Sequence, residues 1–236
     1  MPKIPKIVFS IYSPINGILK VVDTISGREL RSGNDFYVSI PGNHRFFSKR
    51  YWGIYLEEVR KLRLSYKKVL CLGLGGGSIQ NELFKLYPGV EIVTIELDPL
   101  INDIYKYYFS GDKFENHKIL NLDAKVFLKH HHRFGNYENY FDLIFVDVFS
   151  SMNLDEFEKI KKFISDSKKL LKNNGIFSLN VIVQNSNQFE ESKNTVEIVS
   201  KEFKDVNLTF TSGFAGVANL LIFGSDKIKL WQLLKQ

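Results

Sequence analysis

The 236 residues carry 32 lysines and arginines against 26 acids, a net charge of +6, with 44% hydrophobic and 25% charged residues. That length suits one sizeable core, or one α/β domain with a small appendage, and that composition excludes a disordered chain. Basic residues are spread and mixed with acids, as in EFEKIKKF, which argues for a solvated surface rather than a nucleic-acid track, although an anionic ligand would be favoured.

The opening MPKIPKIVFSIY has two prolines and no long apolar core, and no later run approaches the roughly 20 apolar residues of a membrane span. Neither export signal nor anchor is expected, and the single cysteine, Cys71, forms no internal disulfide, which fits a reducing cytoplasm. Residues 6–40 hold three β-rich runs, KIVFSIY, GILKVVDT and DFYVSIP, separated by Asn-Gly, Ser-Gly and Ser-Gly-Asn turns. They predict a small antiparallel β-unit over residues 1–45. From Phe46 the pattern FFSKRYWGIYLEEVRKL has helical spacing and predicts a linking helix over 46–66. Then VLCLGL, EIVTIEL, HKILNL, LIFVDV and GIFSLNVIV alternate with helical segments, which argues for a parallel sheet covered on both faces. A helix near 187–203 precedes VNLTFTS and NLLIFGS, an expected antiparallel pair closing the sheet. His130, His131 and His132 cannot all face one metal from a helix, so they read as a solvated helix end and no metal site is expected.

Four features carry chemistry. In VLCLGLGGGSIQNEL a strand ends in a glycine-rich turn that opens a helix, where a ligand can approach bare backbone and free N–H groups. Glu96 ends the next strand about twenty residues on, where a carboxylate accepts both hydroxyls of a ribose. An adenosyl ligand fits both features, and so does NAD. Asp123, with Ala124 after it, follows the third strand, placed either to read an adenine edge or simply to cap the helix AKVFLKH. Asp147 ends FDLIFVDV, where open α/β sheets place reacting groups; it can steer or deprotonate an amine, or cap the next turn. Cys71 reads as buried and inert.

In this order the glycines, Glu96, Asp123 and Asp147 resemble the spermidine synthase family and its methyltransferase relatives. The resemblance implies an α/β, Rossmann-like class I methyltransferase fold: a mostly parallel seven-stranded sheet with an antiparallel C-terminal strand, built from residues 46–236 behind the N-terminal β-unit. It implies a donor, S-adenosylmethionine or its decarboxylated form, admitted by Gly73, Gly75, Gly76 and Gly77, gripped by Glu96 and read by Asp123 and Ala124. Asp147 would act on a small-molecule or peptide amine, with Tyr51, Trp52 and Phe149 lining the acceptor wall or packing in the core. A homodimer is also implied.

The departures shape the expected reaction. Laying the family's GGGDG on GLGGG puts Gly76 in place of the aspartate expected to hold the amine of an aminopropyl donor. The family's Tyr-Gln-Glu reads Tyr51, Trp52, Gly53, and its Asp-Ser-Ser-Asp-Pro reads Asp147, Val148, Phe149, Ser150, Ser151, keeping the first aspartate alone. A dication needs acceptors at both ends, because an unpaired buried ammonium is costly. Methyl transfer is therefore favoured over aminopropyl transfer, with a non-catalytic adenosyl-nucleoside binder as the other alternative. An NAD-dependent oxidoreductase would leave Asp123 and the β-unit unaccounted for.

Overall fold

The computed structural model describes residues 4–33, 36–109, 115–148, 157–211 and 217–230. The first four strands, β1 (Lys6–Ser13), β2 (Gly17–Thr24), β3 (Gly27–Ser32) and β4 (Phe36–Ser39), form an antiparallel sheet in chain order. The sequence pattern predicts three of them and misses β3, GRELRS. Its charged residues hide the alternation: Leu30 enters the core, while Glu29 is 2% exposed and takes hydrogen bonds from Arg31 and Thr24 beside His44. The linking helix is also shorter than expected. A 3-10 turn (Phe47–Lys49) comes first, and α1 spans Tyr51–Lys61. That turn folds back so tightly that a Cβ on Gly53 would stand 2.4 Å from the Phe47 carbonyl oxygen and 2.6 Å from Ser48 Cα.

The larger sheet comprises β5 (Lys68–Leu72), β6 (Glu91–Glu96), β7 (His117–Asn121), β8 (Phe141–Val146), β9 (Leu171–Val183), β10 (Asp205–Thr211) and β11 (Ala218–Ser225). Its spatial order is β7-β6-β5-β8-β9-β11-β10, with β11 antiparallel to both neighbours and the remaining pairs parallel. The connecting helices are α2 (Ser78–Leu86), α3 (Pro99–Tyr108), α4 (Ala124–His130), α5 (Phe157–Leu170) and α6 (Ser186–Glu202).

Both sheet faces are covered, which is why β5 reads as an unbroken apolar run. Leu70 and Leu72 join Phe127, Ile164 and Val199 of α4, α5 and α6, whereas Val69 and Cys71 join Tyr55, Val59 and Leu83 of α1 and α2. A third cluster packs Leu19, Val21 and Leu30 of the small sheet on Ile101, Ile104 and Tyr105 of α3 and on Leu74. Strand order reverses between β5 and β8, so their carboxyl ends splay and open a crevice, the usual ligand position in open α/β sheets.

Behind the crevice, His117 Nε2 lies 2.8 Å from Thr94 Oγ1, and the Tyr105 hydroxyl donates to Asn81 Oδ1 at 2.8 Å. Burial lowers the His117 imidazole from 6.5 to about 4. Folding therefore favours the neutral ring, and the stability it contributes is complete above pH 6.5 and lost as pH falls toward 4, on the order of 3 kcal/mol in all. Chemical denaturation at pH 7 and pH 5 should show this loss, and His117→Gln should shrink the difference between the two.

Candidate functional site

β5 hands the chain to Gly73, whose N–H donates to the Ile95 carbonyl at 2.9 Å, while the Asp147 N–H donates to the Leu72 carbonyl at 2.8 Å. These bonds fix the ends of β5, β6 and β8 around one loop. Gly73 has φ +105, and a Cβ there would sit 2.6 Å from the Asp147 carbonyl oxygen. Gly77, at φ +73, lies on the Tyr105 ring, 2.1 Å from where its Cβ would be. Both positions demand glycine, for backbone conformation and for space. Gly77 precedes α2 without a side-chain cap.

The small sheet is fastened beside this loop at two points, the start of α2 and the turn between β6 and α3. Ser78 Oγ donates to the Ile40 carbonyl at 2.7 Å, accepts the Ile40 N–H at 3.1 Å and meets the Ser39 hydroxyl. At the other point, Ser13 Oγ and Asn16 Nδ2 from the β1–β2 turn donate to Asp98, which also caps α3 through the Leu100 N–H. Gly76 faces Ser39 so closely that a Cβ would lie 2.7 Å from Ser39 Cβ and 2.8 Å from its Oγ.

Glu96 ends β6 with one carboxylate oxygen on the loop, accepting from Leu74 N–H at 3.0 Å, and the other in its own turn, accepting from Asp98 N–H at 2.9 Å. Burial raises its carboxyl above the usual range, opposed by those two amides. Leu97 beside it is 41% exposed, an apolar surface that the fold leaves uncovered next to a carboxylate. Bare backbone at the glycines, a part-buried acid and an open apolar side chain together fit an adenosyl group. Asp123 caps α4, accepting the Lys125 N–H at 2.6 Å through one oxygen, and Ala124 begins that helix packed against the core.

Asp147 stands at the centre of the crevice, half-buried. Tyr51 Oη donates to its Oδ2 at 2.6 Å and Asn180 Nδ2 to its Oδ1 at 2.8 Å. Burial pushes this carboxyl up, against the pull of Asn180 and Tyr51, and burial together with Asp147 pushes the Tyr51 phenol well up. The pair is thus a neutral phenol donating to an acid that titrates above the ordinary carboxylate range. Trp52 is 5% exposed with its ring 4.6 Å from that of Tyr51, so it supports Tyr51 from the core instead of facing an acceptor. Phe149 lies outside the described residues. Among the described residues no group of three metal-ligating side chains gathers, and His130, His131 and His132 run from the end of α4 into a 3-10 turn.

The spermine/spermidine synthase domain matches residues 56–216, most of the chain. The chain belongs to the spermine/spermidine synthase family. It is 28% identical over 155 residues to a polyamine aminopropyltransferase of Vibrio vulnificus, covering 66% of this chain and 50% of that protein. It is also 28% identical over 124 residues to an eEF1A lysine and N-terminal methyltransferase of Xenopus laevis, covering 50% of this chain and 18% of the relative. The chain thus spans about half the length of the first relative and less than a fifth of the second. In fold it is similar to spermidine synthase from Thermotoga maritima, with a TM-score of 0.73 at 19% identity over 96% of this chain and 75% of that one. It is likewise similar to human methyltransferase-like protein 13 in complex with SAH, with a TM-score of 0.57 at 18% identity over 76% of this chain and 86% of that one.

Within this family two acids expected from the sequence pattern are glycines here, and both spaces are filled: Gly53 by the Phe47–Ser48 backbone and Gly76 by Ser39. Sequence reasoning missed Asn180, whose signal was a polar residue inside the apolar run of β9, 1% exposed. It also missed Asn219, which donates to Asn180 Oδ1 at 3.0 Å and carries no local signal, because the two meet only through the antiparallel pairing of β11 with β9. Sequence reasoning also passed over Leu97 and Asp98, the exposed apolar residue beside Glu96 and the anchor of the small sheet.

Proposed function

We propose that this chain transfers a methyl group from S-adenosylmethionine to an amine. The observation that carries the choice of methyl is the filled space at Gly76: Ser39 stands where an aspartate side chain would have to emerge. A neutral loop suits the donor's own carboxylate, which an aspartate would repel. The methyltransferase relative, named for lysine and N-terminal methylation, supports an amine acceptor on a peptide or protein.

In this reading Glu96 accepts the ribose hydroxyls, Leu97 underlies the purine, and Asp123 and the Ala124 N–H read its edge. The acceptor nitrogen approaches beside Asp147, its lone pair forms the new C–N bond, and the C–S bond breaks to leave a neutral thioether. Asp147 takes the proton that the amine sheds, while Tyr51 and Asn180 hold the carboxylate in place. The remaining rate enhancement comes from aligning nitrogen, methyl carbon and sulfur.

Aminopropyl transfer is the second reading, favoured by the Tyr51–Asp147 pair and by the aminopropyltransferase relative. Supplying isotopically labelled S-adenosylmethionine or its decarboxylated form, each with putrescine, spermidine or a peptide mixture, separates the two. Label incorporated from the decarboxylated donor alone would rule out methyl transfer. If the donor binds tightly and no acceptor is labelled, the chain is a binder and not a transferase.

Donor binding should itself depend on pH. Both ribose hydroxyls find a charged acceptor in Glu96 only while it is ionised, because protonation turns one of its oxygens into a donor, so affinity should fall as pH drops through its raised value. Calorimetry at pH 7.5 and pH 5 tests this, and Glu96→Gln should weaken binding about 10- to 100-fold at pH 7.5, the size expected for hydrogen bonds to a charged group.

A further inference from the structure

Four side chains from four parts of the chain form one hydrogen-bonded line across the strand ends: Tyr51 of α1, Asp147 after β8, Asn180 of β9 and Asn219 of β11. Asn219 Nδ2 donates to Asn180 Oδ1 at 3.0 Å, and Asn180 Nδ2 donates to Asp147 Oδ1 at 2.8 Å. A primary amide has two edges of opposite polarity, and only its NH2 edge suits an ionised carboxylate. Turned over, Asn180 would set its oxygen against Asp147 and favour the protonated acid. The donation from Asn219 makes that reversal unfavourable, because the Asn180 oxygen would lose its donor in a site 1% exposed to water.

We propose that Asn219 is a positioning residue: by holding the Asn180 carbonyl it fixes the amide orientation that keeps Asp147 ionised and ready to accept a proton. Asn219 is itself held in β11, where its N–H donates to Thr211 Oγ1 at 3.3 Å. Asn180 pairs in register with Leu221, so the Asn219 side chain reaches it diagonally.

Among the described residues the titratable groups facing Asp147 are the Tyr51 hydroxyl from α1 and the Cys71 thiol from β5. Burial pushes both upward, so each is neutral across the physiological range and neither supplies a charge that could tune Asp147. Among the described residues no charged side chain hydrogen-bonds to Asp147. Among the described residues the amide line and the Tyr51 hydroxyl are therefore the side-chain influences that favour its ionised form.

The functional half of this inference rests on reading Asp147 as the proton acceptor, but its physical half does not. The test follows the Asp147 side-chain carboxyl by carbon-13 NMR across a pH titration of the full chain, in wild type, Asn219→Leu, Asn180→Leu and the double variant. In Asn219→Leu the acid dissociation constant of Asp147 should fall about tenfold, the scale of one hydrogen bond to a charged group. Asn180→Leu should shift it in the same direction, and adding Asn219→Leu to that background should shift it no further. Asn219→Ala should match Asn219→Leu, which separates the lost amide from altered packing. An unchanged titration in either single Asn219 variant, or an undiminished further shift in the double variant, overturns the proposal. If Asp147 titrates as expected while no amine is ever methylated, the positioning role stands and the transferase reading falls.

Discussion

Asp147→Asn should lower the transfer rate about 10²- to 10⁴-fold, the usual contribution of a positioned general base, while leaving the protein at least as stable as wild type at pH 7. The two halves of this expectation have one origin. Folding raises the Asp147 carboxyl through burial, so the protonated form is the one the fold prefers. As pH rises through that folded value the group ionises and its contribution to stability is lost. Asparagine has nearly the same shape, can still meet Tyr51 and Asn180, and carries no charge to desolvate. Thermal unfolding and labelled-donor turnover measured on one preparation check both halves. A variant that loses activity and melts well below wild type would mean that Asp147 holds the crevice together and does no chemistry. In wild type, the acid side of the pH–rate profile should lie above the ordinary carboxylate range, since the working form is the ionised one.

The second large effect concerns Gly76. Gly76→Asp, which would restore the acid of an aminopropyltransferase, should destabilise the chain by about 1–3 kcal/mol, as overpacking does, because its Cβ would enter the space of Ser39. For a chain of this size that is a fall of about 2–12 °C in Tm. No aminopropyl transfer should appear. Combining it with Ser39→Gly removes the overlap and should recover part of the lost stability. In that double variant the preference between donors should move toward the decarboxylated form by about tenfold, since the new carboxylate repels the donor's own carboxylate and attracts its amine. Calorimetric titration of both donors reads this. If Gly76→Asp alone melts like wild type and gains aminopropyl transfer, the filled space at Gly76 has no bearing on which group is moved.

Much of this was legible in the sequence, and the unequal parts have physical reasons. The large sheet is read easily because strands buried on both faces announce themselves as apolar runs, as VLCLGL and LIFVDV do. β3 escaped because Glu29 and Arg31 satisfy each other across a partly buried face, and a charged pair looks like a loop to any hydrophobicity pattern. Glu96, Asp123 and Asp147 were singled out by position, each at or just after the end of a strand. Their partners were not: Asn180 and Asn219 become neighbours through strand pairing, and Ser39 reaches Gly76 from another sheet, contacts that local periodicity does not encode.

Phe47 and Ser48, which fill the space at Gly53, and Ser39, which fills it at Gly76, all precede residue 56, where the family match begins. Two chains could therefore share that matched segment residue for residue and still differ in the room beside the glycine loop. Sorting such proteins into chemistries would then require comparing their first fifty or so residues as well as the matched segment.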